Sequence, residues 1–299
     1  MMRKILFALA LGFSMSAMAQ VLNVTSVEKV NLPENAAVAA ISPQGDYLLL
    51  TSATNQGLTK LDLTNGQTQV LSTAVSAGHN VKISPDGQTV LFREGSFNNK
   101  HLRFTSLKSV NLATGSSQVL VKPTRDLQGY DIDATSAGVV NKGKYSSKAI
   151  GSAKAQKLPV LSINKGQLMI TVNGKTRQLS PNGTQYSYMW ASLSPDGTKV
   201  LYYQAAHGTY VCNLDGSNVQ KVGKMRAPVW YDDQTIVGMM DLDDGEYIYA
   251  STIVAATLDG RTQTLTGDDV IAMYPHAIAG KIAFSTPAGE AYIINVTKW

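Results

Sequence analysis

The chain has 299 residues, of which 44% are apolar and 16% charged, and its formal net charge is +5. That apolar content supplies a large core and excludes bulk disorder. The basic residues are scattered, which excludes the contiguous basic stripe that nucleic-acid binding requires.

Residues 1–19 read as a secretory signal peptide. Arg3 and Lys4 precede the apolar run Ile5–Phe13, and Ala17-Met18-Ala19 supplies a small-residue cleavage site before Gln20. The apolar run is too short to span a bilayer, and no later stretch reaches the ~20 apolar residues that a span needs. The expected product is an exported protein, periplasmic or secreted, with no stable membrane insertion. Its single cysteine, Cys212, lies in an alternating strand pattern and is expected to be a small buried hydrophobe.

Repeats organise the rest of the chain. Three segments match closely: Ile41-Ser-Pro-Gln-Gly-Asp46, Ile83-Ser-Pro-Asp-Gly-Gln88 and Leu193-Ser-Pro-Asp-Gly-Thr198, each followed by a strand of Leu, Val and aromatic residues. Proline presets the turn, the acidic or amide side chain bonds local backbone, and glycine takes positive φ. Degenerate copies at Ala134–Gly138, Trp230–Gln234 and His276–Gly280 bring the turns to positions 45, 87, 138, 197, 234 and 280. Four of the six units carry a second half ending in Gly66, Gly115, Gly216 or Gly260, where the chain turns into a short outer strand. Units of this length match four-stranded propeller blades, and the count predicts an all-β six-bladed β-propeller over residues 20–299. The last unit lacks an outer strand, and the strand-like segment 21–30 is expected to supply it by pairing with 290–296.

The Ser-Pro-Asp-Gly turn followed by a strand and a Leu-Asp-Gly turn resembles the repeat of TolB-type six-bladed propellers, with related repeats in the propeller domains of prolyl oligopeptidase and dipeptidyl peptidase IV. The resemblance implies a binding fold exposed to protein partners at one face. Neither the separate α/β domain of TolB nor the hydrolase domain of the peptidases is expected beside this propeller.

Chemistry-bearing motifs are few. There is no Gly-x-Ser-x-Gly elbow, and the four histidines are dispersed. The acidic stretch Asp241–Glu246 places an acidic residue at only one of the three early ligand positions of a calcium loop. Neither a catalytic residue, a metal site nor a cofactor is expected. Aligned on the turns, His79, Asn80, Tyr130, Asp131, Trp190, Arg226, Tyr274 and His276 fall at the entries of innermost strands, where they would converge on the mouth of the central channel. An insertion in the second unit carries Phe97, His101 and Arg103 toward the same face. A second insertion, Lys144–Asn164 in the third unit, is rich in lysine and reads as a solvated loop, the alternative being a basic loop that recruits an acidic partner or an anionic envelope polymer. These patterns favour an exported, non-catalytic, monomeric binding module for a protein or peptide partner of the cell envelope. The alternative is a metal-dependent, lactonase-like hydrolase working at the channel.

Overall fold

A computed structural model describes residues 20–33, 35–152 and 154–298. The segment read as a signal peptide lies outside the described residues. The described chain is built of strands alone, and these form seven antiparallel sheets arranged as propeller blades.

Strand β1 (Leu22–Val30) comes first. Blade 1 then holds β2 (Ala36–Ile41), β3 (Tyr47–Ser52), β4 (Leu58–Asp62) and β5 (Thr68–Ser72). Blade 2 holds β6 (Lys82–Ile83), β7 (Thr89–Phe97), β8 (Arg103–Asn111) and β9 (Ser117–Thr124). Blade 3 has three strands, β10 (Leu127–Ile132), β11 (Ser136–Asn141) and β12 (Lys144–Ala149). Blade 4 also has three, β13 (Val160–Asn164), β14 (Gln167–Val172) and β15 (Lys175–Gln178). Blade 5 consists of β16 (Tyr188–Leu193), β17 (Lys199–Gln204), β18 (Gly208–Asn213) and β19 (Gln220–Gly223). Blade 6 consists of β20 (Arg226–Trp230), β21 (Thr235–Asp243), β22 (Ile248–Thr257) and β23 (Thr262–Thr264). Blade 7 is formed by β24 (Met273–Ile278), β25 (Lys281–Ser285) and β26 (Ala291–Lys298), with β1 as its outer strand. The pairing of β1 with β26 runs from Leu22 opposite Lys298 to Val30 opposite Ala291.

The count of six blades is therefore corrected to seven. Residues 127–178, read as one unit with a lysine-rich insertion, fold into two short blades. The supposed insertion supplies β12, a connecting loop and β13, the inner strand of a blade of its own. These blades turn by two-residue hairpins instead of the Ser-Pro-Asp-Gly motif. Lys142-Gly143, Lys165-Gly166 and Asn173-Gly174 all have positive φ at both positions, the signature of a type I′ turn. The turn assigned near Gly138 is displaced too. Asp133 caps it by accepting the backbone N–H groups of Thr135 and Ser136, and Gly138 lies inside β11.

The core lies between the blades. Leu48 and Leu50 pack with Ala283 and Ile293 between blades 1 and 7, Leu49 and Phe92 meet between blades 1 and 2, and Leu91 and Val139 meet between blades 2 and 3. Cys212 is buried among Tyr202, Val200 and Ile170 between blades 4 and 5, where burial pushes its thiol up to about 12. Blades 3 and 4 approach through glycine. A Cβ on Gly129 would lie 2.3 Å from the Leu161 carbonyl oxygen, and one on Gly138 would lie 2.7 Å from Val160.

The intact Ser-Pro-Asp-Gly turns are cross-braced on one face of the ring. Ser84 Oγ bonds Asp86 at 2.5 Å and accepts the Thr89 N–H at 2.9 Å. Ser194 and Asp196 repeat the pattern, and the Ser194 hydroxyl is the leading cause holding the Asp196 carboxyl down at about 2. With those turns on the exit face, the loops leading into inner strands and those joining second to third strands share the opposite face, called here the entry face.

Candidate functional site

The inner strands do not enter the ring smoothly. Register shifts interrupt their pairing at Leu127/Gly129, Met189/Ser192, Arg226/Val229 and Met273/His276. Within the last three of these bulges Trp190, Ala227 and Tyr274 take φ of 48°, 45° and 51°, a left-handed conformation that bulky L-residues avoid at a cost of about 1 kcal/mol or more. The bulges of blades 5 and 7 turn aromatic side chains to solvent: Trp190 is 37% exposed and Tyr274 is 46% exposed. Trp190 stands edge-on to Tyr203 at 5.2 Å, and the Tyr274 N–H points at Met239 Sδ, 3.4 Å away.

Blade 6 lies between them and carries a long β21–β22 hairpin on the same face. Met240, Leu242, Tyr247 and Tyr249 are exposed along it, and Tyr247 at its tip is 67% exposed. Arg226 anchors this hairpin. Its guanidinium meets Asp241 at 2.5 Å and Asp243 at 3.7 Å, and the Asp241 side chain is only 3% exposed. Arg226 thus joins the mouth as the base of the hairpin and is already committed to an internal ion pair. The acidic tip folds onto itself: Asp243 accepts the Gly245 N–H, and Asp244 accepts those of Glu246 and Tyr247. Among the described residues no cluster of three or more His, Cys, Asp or Glu side chains is arranged to hold a metal ion.

The other residues aligned on the mouth divide in two. Tyr130 is buried, because the bulge at the start of β10 turns it into the layer between blades 2 and 3. Its hydroxyl donates to the Asn80 carbonyl at 2.7 Å and accepts from Arg93 Nε at 3.2 Å, while the Arg93 guanidinium stacks 5.0 Å over its ring. Asp131 pairs with Lys82 at 3.6 Å. His276 is half-buried beside the Val38 backbone, and burial lowers its pKa to about 4. These three tie neighbouring blades together.

His276 has a measurable consequence. Its folded pKa lies below the ordinary 6.5, so the unfolded chain takes up a proton that the folded protein refuses. The stabilisation is complete above pH 6.5 and is lost progressively as the pH falls toward 4. Between pH 7 and 4.5 the wild type should lose about 2 kcal/mol more than His276→Gln in urea unfolding. Identical losses in the two proteins would show that the imidazole is hydrated.

His79 and Asn80 are exposed and belong to a different part of the face. A cleft of about 610 Å³ opens there, lined by Thr54 and Asn55 of the β3–β4 loop, Val75, Ser76 and His79 of the β5–β6 loop, Arg93, Arg103 and Thr105 of the β7–β8 hairpin, and Arg125 of the β9–β10 loop. His79 keeps an exposed surface, but desolvation by the cleft side chains around it, with the Arg93 and Arg103 guanidiniums, lowers its pKa. The hairpin tip holds Phe97, 60% exposed, and His101, which takes φ 56° in a turn closed by Asn98. Arg103 is thus brought together with His79, whereas Phe97 and His101 project beyond them. Motif reading passed over Arg93, Arg125, Tyr247 and Tyr249. The two tyrosines carry a signal, an extended alternating strand beyond the blade's normal length, but no sequence pattern shows which arginines lack carboxylate partners.

No family model matches the chain, and no characterised protein matches it by sequence. Among solved structures it is similar to the putative TolB from Agrobacterium tumefaciens, with 15% identity over 94% of this chain and 99% of that one and a TM-score of 0.50. It is also similar to the β-propeller domain of the trilobed protease from Pyrococcus furiosus, with 12% identity, 87% and 89% coverage and a TM-score of 0.50. A chain of the mitotic checkpoint complex aligns over 99% of this chain and all of its own length, with 9% identity and a TM-score of 0.56. The likeness is one of fold. A TolB is among its structural neighbours, and seven blades in place of six set this chain apart from the repeat count its turns suggested.

Proposed function

We propose that the protein is an exported binding module that recognises a protein or peptide partner with the entry face of its propeller. The observation that supports this most is the run of solvent-exposed aromatic side chains over three consecutive blades, Trp190, the β21–β22 hairpin with Tyr247 and Tyr249, and Tyr274. Aromatic residues dominate interface energetics, and the strained backbone at Trp190 and Tyr274 keeps part of each ring in solvent, although Trp190 also packs edge-on against Tyr203. The n-region, apolar run and Ala-x-Ala site of residues 1–19 support export.

Replacing Trp190 and Tyr274 together by Ala should weaken capture of an envelope partner by the immobilised protein at least thirtyfold, which corresponds to about 2 kcal/mol of anchor energy. The melting temperature should stay within a few degrees. Arg226→Ala should behave differently, because it orphans the buried Asp241 carboxylate and destabilises the fold by about 1–3 kcal/mol. Undiminished capture by the double variant would remove the aromatic face from the account.

A further inference from the structure

The cleft between blades 1, 2 and 3 has no place in the aromatic face and carries a separate inference. Three arginines line it, and no carboxylate does. Among the described residues Arg93, Arg103 and Arg125 form no ion pair. Arg93 spends one donor on Tyr130 and Arg103 one on Ser76, and among the described residues Arg125 has no side-chain hydrogen-bond partner. The acidic residue of the same hairpin, Glu94, is occupied by Lys108 at 2.6 Å and Ser72 at 2.8 Å. Gathering three guanidiniums without a counter-charge raises the energy of the empty cleft, and an anion would relieve it.

The floor of the cleft is held in place beforehand. Gly78 sits so close to Thr51 that a Cβ would come within 2.1 Å of its hydroxyl, and the Gly95 N–H bonds the Val75 carbonyl at 2.7 Å. The β5–β6 loop is therefore clamped between blades 1 and 2, and ligand binding need not order it.

We propose that this cleft binds a small molecule carrying two or more carboxylate or phosphate groups. One carboxylate saturates one guanidinium fork, so three arginines call for a ligand with several anionic groups. The volume lies in the range of small-ligand pockets, and Thr54, Asn55 and Thr105 add neutral polar groups around the ligand. The inference stands apart from the partner-binding reading, because none of the aromatic residues lines the cleft.

Calorimetric titration of the purified protein with citrate and with tripolyphosphate, at matched ionic strength, tests it. One equivalent of at least one of the two should bind with a Kd at or below about 1 mM, whereas acetate at tenfold higher concentration should give no signal. The tighter probe tells carboxylate from phosphate recognition. Arg125→Gln and Arg103→Gln should each weaken binding about tenfold, and Phe97→Ala should leave it unchanged. If Arg103→Gln fails to fold through loss of its Ser76 contact, Arg125→Gln carries the test, since that side chain is exposed and free of protein partners. Absence of binding by both probes overturns the proposal, as do heats reproduced by sodium chloride or arginine variants that bind like the wild type.

Discussion

A chain beginning at residue 33 should melt at least 10 °C below the chain beginning at residue 20, or fail to stay monomeric. Removing residues 20–32 takes away the whole of β1. Leu22 is fully buried and Val21 nearly so, in the cluster shared with Ile294, Val296 and Leu265. Each such aliphatic side chain contributes about 1.5–3 kcal/mol on burial. The edge of β26, paired from Ala291 to Lys298, would be left open to other chains. Blade 6 also grips this strand directly. The Gln263 carboxamide accepts the Val21 and Leu22 N–H groups at 2.7 and 2.9 Å and donates to the Leu22 carbonyl at 2.9 Å, as a neighbouring strand would. A total of about 5 kcal/mol corresponds to 10–20 °C in a protein of this size. Calorimetry of the two chains decides the matter, and melting curves within 2 °C of each other would mean that β1 adds nothing to the ring. Gln263→Ala, which keeps the strand and removes only the grip, should fall well short of the deletion.

Gly129→Val should cost more than about 3 kcal/mol in chemical unfolding. Even the first added carbon would sit 2.3 Å from the Leu161 carbonyl oxygen and 2.7 Å from Ser162 Cβ. Those atoms belong to β13, a backbone paired with β14 and unable to swing away. The contact exists only if β10 and β13 are inner strands of adjacent blades, so the substitution probes the seven-bladed arrangement itself. Gly138→Val meets the side chains of Val160 and Leu158, which can partly yield, and should cost less. If Gly129→Val were as stable as the wild type, residues 127–178 would have to form a single blade, as the turn spacing suggested.

The difference between six and seven blades shows what the residues made visible. Blades 1, 2 and 5 announce themselves through Ser-Pro-Gln-Gly or Ser-Pro-Asp-Gly, because proline and glycine encode that turn in nearly one way. The two three-stranded blades turn at Lys142-Gly143 and Lys165-Gly166, and there lysine holds a positive φ that nothing in its side chain advertises. Their lysines read as a solvated run because every one of them is in fact exposed, Lys154 and Lys157 on the loop between β12 and β13 and the others on strands or turns of the two narrow blades. The mouth was legible as a list of strand entries and illegible as a surface. A one-residue bulge decides whether an entry residue faces solvent, as Trp190 does, or the layer between blades, as Tyr130 does. Arg226 resisted for another reason: its partner Asp241 lies on the next strand, in a stretch whose acidity looked like a loop. The arginine cleft was invisible because its members come from four loops and hairpins, and only their placement shows that no carboxylate joins them.

The claim on which the functional account rests is that a partner docks on the entry face. Site-directed photocrosslinking in the native cells addresses it most directly, with a photoreactive residue at Tyr247 on the β21–β22 tip, or at Asn65 in an exposed turn on the exit face. The account predicts a discrete crosslinked adduct from position 247, lost when Trp190 and Tyr274 are also replaced by Ala, and no adduct from position 65. Crosslinking from position 65 with none from 247 would contradict it.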